Sequence, residues 1–139
     1  MKRVKKNQVK LKKTFLKYEV EFAYLFGSRA AGNENKESDF DFAVMLPDGF
    51  SDRKIFDIRL KLMSEIMRIL KTDAVDLVVL NEIKSVLMKF SIVREGVLIF
   101  SRDPGKKTDF ELRVISEYYD FKPFINAYNK AYVKSRIAR

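Results

Sequence analysis

The sequence predicts a mixed α/β fold, with one small β-sheet flanked by helices and further helices at the C-terminal end. Three observations lead there. Runs rich in β-branched and aromatic residues occupy 20–26, 39–46 and 74–80, and stretches of helical periodicity lie between and after them. The composition, 47% hydrophobic and 34% charged in 139 residues, is that of a chain able to bury one core. Strands alternating with helices and followed by helices give a mixed sheet with helical cover.

In chain order, residues 2–17 set Val4, Leu11 and Phe15, with Tyr18 beyond them, near one helical face among lysines, which predicts an amphipathic helix. Val20–Phe26 reads as a strand that enters a tight turn at Gly27. Asp39–Leu46 reads as a second, ended by Pro47-Asp48-Gly49. Ser51 is a suitable N-cap for a helix to Leu70, in which Ile55, Ile58, Leu62, Ile66 and Ile69 recur at helical spacing. Ala74–Leu80 reads as a strand buried within the sheet. Asn81 is expected to cap a helix over about 83–94 that stops at Gly96. Val97–Phe100 is the last strand, closed by an Asp103-Pro104-Gly105 turn. Helix follows from Lys106, and Pro123 should break or bend it. Phe121, Phe124, Tyr128 and Tyr132 share one face of that segment, and such a stripe reads as core packing in preference to a partner surface.

Two missing residue types restrict the chemistry. With no Cys there are no disulfides, thiolate metal sites or cysteine nucleophile. With no His, the usual general base near neutral pH and the commonest transition-metal ligand are gone. Carboxylates, hydroxyls, Lys and Arg remain, and they suit hard cations such as Mg²⁺. The missing cysteines, a lysine-rich start and no long apolar run lead us to expect a soluble cytoplasmic protein without a membrane partner.

The net charge of +9 is unevenly spread: residues 1–18 hold eight bases and 122–139 five, with no acid in either, so all nineteen acids lie between. Basic ends suit an acidic partner, RNA or protein, but solvated helix faces are the commoner explanation. Binding of nucleic acid by residues 1–18 is not expected, because lysines rather than interleaved aromatics dominate that segment and it has no recognisable motif.

The chemistry-bearing segment is Leu25-Phe26-Gly27-Ser28-Arg29-Ala30-Ala31-Gly32, followed by Ser38-Asp39-Phe40-Asp41. A strand ending in Gly-Ser offers backbone N–H groups and a hydroxyl to phosphate oxygens. Gly27 allows the turn and leaves room for a triphosphate. Asp39 and Asp41, two apart on a strand, project from one face and can converge on a cation, while Phe40 and Phe42 turn to the core. Asp76 opens an otherwise apolar strand. If that strand neighbours Asp41, Asp76 can complete a metal site or accept a proton. Arg29 is either a further phosphate contact or a plain surface arginine.

Gly-Ser, ten residues, Asp-x-Asp and a later strand Asp resemble the nucleotidyltransferase superfamily related to DNA polymerase β, and within it the minimal, or MNT, branch. Arg94-Glu95-Gly96 before an apolar strand, and Tyr119-Asp120-Phe121-Lys122-Pro123-Phe124, are similar to that branch. The resemblance implies a polymerase β-like fold and a single domain over 1–139: a basic helix 1–18, a catalytic core 19–100 and a C-terminal helical segment 106–139. It implies that Gly27 and Ser28 hold nucleotide phosphates, that Asp39 and Asp41 bind two Mg²⁺ ions, and that Asp76 serves as metal ligand or base. Many relatives carry Arg where this chain has Ala31, so one phosphate contact is weakened.

The reaction so implied is attack of an acceptor hydroxyl on the α-phosphate of a nucleoside triphosphate, with pyrophosphate leaving. Minimal nucleotidyltransferases resemble antitoxins that transfer AMP from ATP to a Tyr of a HEPN-type toxin ribonuclease. The chain, lacking His, would be the antitoxin. Two other readings stay open: a toxin-neutralising binding module without catalysis, and an aminoglycoside-type enzyme, against which the short length argues. An oligomer is possible.

Overall fold

The computed structural model describes residues 1–31 and 39–137. Gly32 and Ser38 of the motif region, and the last two residues of the expected C-terminal segment, lie outside them. The elements in order are α1 (Lys2–Lys6), α2 (Gln8–Lys17), β1 (Phe22–Phe26), α3 (Ser28–Ala31), β2 (Phe40–Met45), α4 (Asp52–Leu70), β3 (Val75–Val79), a 3₁₀ turn (Leu80–Glu82), α5 (Val86–Glu95), β4 (Val97–Ser101) and α6 (Pro104–Ile137). The mixed α/β fold expected from the sequence is the one observed.

The sheet order is β3-β2-β1-β4. β1 runs antiparallel to β2 and β4, whereas β2 and β3 are parallel. The C-terminal end of β1 therefore meets the N-terminal ends of the other three strands at one edge of the molecule.

Strand alternation divides the core between two faces. Ala23, Leu25, Phe40, Phe42, Val44, Val75, Leu77 and Val79 pack with Val4, Leu11 and Phe15 of α1 and α2, and with Ile55, Ile58, Leu62, Ile66 and Leu70 of α4. Phe22, Tyr24 and Ala43 of the opposite face pack with Ile92 of α5 and with Phe110 and Val114 of α6. Both Phe40 and Phe42 are fully buried, as their alternation with Asp39 and Asp41 requires. Most lysines of residues 1–18 point to solvent while Val4, Leu11 and Phe15 anchor the two helices, so this basic end forms a solvated face.

Local chemistry accounts for most boundaries. Ser51 accepts from the Lys54 N–H at 3.2 Å and caps α4 as expected. The N-terminal helix is split at Asn7, whose Nδ2 donates to the Arg3 carbonyl at 2.8 Å, a side-chain bond that competes with the helical ladder. Asn81 does not cap α5; Ser85 does, accepting from the Met88 N–H at 3.1 Å. Asn81 instead bridges the backbone of Leu46, accepting from its N–H at 2.9 Å and donating to its carbonyl at 2.8 Å. Those bonds tie the chain after β3 to the end of β2. Asn81→Ala should cost about 1–2 kcal/mol, read as a lower urea midpoint with an unchanged slope.

The C-terminal helix differs from expectation at three points. It starts at Pro104, with the Asp103 carboxylate accepting from the Gly105 N–H at 2.9 Å, so the expected turn is a helix start with Pro in the first position. It runs through Pro123 rather than ending there. The helix is exposed around that residue, so the carbonyl that Pro123 cannot bond has access to water. And the aromatic stripe is not core: Phe121, Phe124, Tyr128 and Tyr132 are all exposed, because among the described residues no element packs over that part of α6. Among the described residues no helix is long and apolar enough to cross a membrane.

Candidate active site

At the end of β1 the chain turns through Gly27, whose φ of 75° lies in the left-handed region that side chains disfavour. A Cβ at Gly27 would collide with Asp41 Oδ2 and lie 3.3 Å from its carboxyl carbon. The bare glycine thus lets the Asp41 carboxylate rest against the turn. Ser28 opens the short helix α3 immediately after it.

The register aligns the acids. Phe26 of β1 is paired with Asp41 of β2, and Asp41 with Asp76 of β3. Cross-strand partners share a face, so Asp41 and Asp76 stand side by side on the α5–α6 face at the edge that also carries Gly27. The neighbouring-strand condition set for Asp76 is met. Asp39 lies one residue before β2, on the same side as Asp41 by alternation, and is exposed. Asp76 is also exposed, and its Oδ1 accepts from the Leu77 N–H at 2.9 Å.

Arg29 is positioned differently. Its guanidinium lies 4.1 Å from the centroid of the Phe40 ring, and Phe40 belongs to the sheet face opposite Asp41. The guanidinium is thus placed on the Phe40 side of the sheet.

Burial, followed by the negative charges of Asp76 and Asp39, pushes the Asp41 carboxyl above the ordinary aspartate range. Like charges set together with one of them half-buried form a site that favours a cation. The donors are all oxygen, which suits Mg²⁺. Among the described residues no three acids are drawn into a ready-made metal cage. Mg²⁺ commonly takes only one or two carboxylates and completes its shell with water and phosphate oxygens, so the residues present fit it.

Two buried interactions escaped the sequence reading. The Tyr24 hydroxyl donates to Glu111 Oε1 at 2.5 Å, tying α6 to the sheet, and burial with this bond raises the Tyr24 pKa. Glu21 is buried at the opposite edge, where its Oε1 accepts from Arg102 at 3.0 Å and Lys106 at 3.1 Å. Both partners lie more than 80 residues away, and no local pattern announces them.

With this geometry in hand, comparison with known proteins is direct. Residues 9–105 match the polymerase beta nucleotidyltransferase family. The chain is 33% identical over 105 residues to the protein adenylyltransferase MntA of Aphanizomenon flos-aquae (strain 2012/KM1/D3), covering 70% of this chain and 68% of that protein. A crystal structure of a toxin–antitoxin with AMP-PNP superposes with a TM-score of 0.69 at 25% identity, over 94% of this chain and 98% of the other. A second, a tri-AMPylated Shewanella oneidensis HEPN toxin in complex with MNT antitoxin, gives 0.63 at 23% identity over 96% and 98%, which shows the shared fold. Taken with the sheet that places Gly27, Asp41 and Asp76 along one edge, these matches show that the chain belongs to the polymerase β nucleotidyltransferase family.

Proposed function

We propose that this chain transfers AMP from ATP, with Mg²⁺, to a Tyr hydroxyl of a HEPN-type toxin, and so acts as the antitoxin of the pair in the cytoplasm. The observation that carries the reading is the Asp41–Asp76 register beside the Gly27 turn, in a chain 33% identical to a protein adenylyltransferase. The likeness to a toxin–antitoxin holding AMP-PNP supports the nucleotide and the partner.

Gly27 and Ser28 would hold the triphosphate through backbone N–H groups and the Ser28 hydroxyl. Arg29 would reach a phosphate by leaving the Phe40 ring. Asp39, Asp41 and Asp76 would hold two Mg²⁺ ions, which when bound offset charge on the phosphates and on the entering and leaving oxygens. The Asp76 carboxylate, oriented by the Leu77 N–H on its Oδ1, would take the proton of the attacking hydroxyl. The acceptor oxygen bonds to the α-phosphorus, the bond from that phosphorus to the bridging oxygen breaks, and pyrophosphate carries away the displaced electron pair.

Incubation with labelled ATP, Mg²⁺ and a HEPN-domain toxin should label that protein. Tight binding without label would replace enzyme with binding module. Mg²⁺ alone should also raise the melting midpoint of the wild-type chain by several degrees, because a ligand at 100 times its Kd adds about 2.7 kcal/mol. The Asp39→Asn/Asp41→Asn double variant should show no such rise, and an equal rise in both would remove these carboxylates from the metal site.

A further inference from the structure

α6 is 34 residues long, about 51 Å at 1.5 Å per residue, whereas α5, which packs beside it, has only ten. Among the described residues the buried anchors of α6 are Phe110 and Val114, and Tyr118 stacks on Phe90 with centroids 3.7 Å apart. Beyond it the helix is exposed almost residue for residue through 134, with Phe124 70% and Tyr128 71% accessible.

This projecting half has two properties that specify an occupant. Phe121, Phe124 and Tyr128 follow each other at three- and four-residue steps, the spacing with which an amphipathic helix fills a groove on another protein. Aromatic rows of this size left in water mark an interaction site. The charge around them is mostly positive: from Tyr119 to the end of the sequence there are five bases against one acid, Asp120. A second copy would bring the same cations together and is disfavoured; an acidic surface complements them.

The direction of α6 links this face to the active edge. Lys106 meets Glu21 before β1 begins, Phe110 packs on Phe22, and Glu111 bonds Tyr24. The helix therefore advances in the sense of β1, towards the edge where Gly27, Asp41 and Asp76 lie. Tyr119 and Lys122 line a cleft with Arg94, two residues before Gly96, which is set against the Leu25 carbonyl.

We propose that α6 from Tyr119 onwards is a docking arm whose Phe121–Phe124–Tyr128 stripe seats in an apolar groove of an acidic protein acceptor and holds it beside the carboxylate edge. This rests on the reading of the chain as a protein adenylyltransferase. In the test, the chain and its Phe124→Glu/Tyr128→Glu variant are titrated with a HEPN-domain toxin at near-physiological salt, and transfer of labelled AMP is followed in parallel. Expected is about a hundredfold or greater loss of affinity for the acceptor, with ATP affinity and melting midpoint unchanged. A second variant, Lys130→Glu/Lys134→Glu, should weaken binding in a salt-dependent manner and covers the case in which the first variant unfolds the helix. Unaltered acceptor affinity in both variants overturns the docking arm. So does self-association of the wild-type chain that Phe124→Glu/Tyr128→Glu abolishes, or affinity for a single-stranded RNA that the same variant abolishes. Failure of the wild-type chain to bind the HEPN-domain protein at all is a different outcome: it sinks the protein-acceptor reading and this inference with it.

Discussion

Asp41→Asn is expected to lower AMP transfer by at least about a thousandfold while the chain remains folded, a loss of roughly 4 kcal/mol of transition-state stabilisation. Asp41 is the middle member of the row, paired with Phe26 on one side and Asp76 on the other, and its carboxylate rests against the Gly27 turn. Asn keeps the shape and removes the charge. The effect on stability should have the opposite sign. Because the folded chain holds the Asp41 carboxyl above its usual value of 3.8, it binds more protons there than the unfolded chain does. Stability therefore falls as pH rises from 3.8 through the folded value, and at neutral pH the ionised carboxylate is a burden. Asp41→Asn should match or exceed the wild-type melting midpoint at pH 7 in the absence of divalent ions, with the advantage fading in acid. A folded variant that keeps wild-type turnover would remove Asp41 from the catalytic role.

Gly27→Ala is expected to reduce transfer roughly a hundredfold and stability by about 1–2 kcal/mol. The stability cost comes from a side chain at φ 75°. The activity cost comes from the Asp41 carboxylate, which must move off the turn to admit a methyl group. Gly49→Ala separates the two contributions. Gly49 also has a positive φ, of 87°, but nothing lies within 4 Å of a Cβ there. It should show similar strain with full activity. Equal activity losses at the two glycines would mean that strain, not displacement of Asp41, is what the assay reads.

Much of this site is legible in the sequence because its members are close in the chain. Gly27, Ser28, Asp39 and Asp41 fall on the two ends of one β-hairpin-like pair, and the alternation Asp-Phe-Asp-Phe alone determines which side chains face the core. The Ser51 cap was legible for the same reason, since its bond spans three residues. Asn81 and the aromatic stripe were misread because cap and core residues are recognised by local pattern, whereas the Asn81 partner is 35 residues away and the exposure of the stripe depends on what fails to cover it. Arg29 falls between these cases: the sequence places it beside the motif, but only the fold brings its guanidinium onto the buried Phe40 ring.

The mixed α/β class, the oxygen ligands that remain for a metal without His or Cys, and the shared face of Asp39 and Asp41 all follow from composition and side-chain period, which are properties of the chain. That Asp76 stands beside Asp41, that Gly27 makes room for that carboxylate, and that much of the later part of α6 is exposed among the described residues are outcomes of folding. Strand order, register and the relative lengths of packed elements arise from contacts between residues distant in sequence, where no local pattern can specify them.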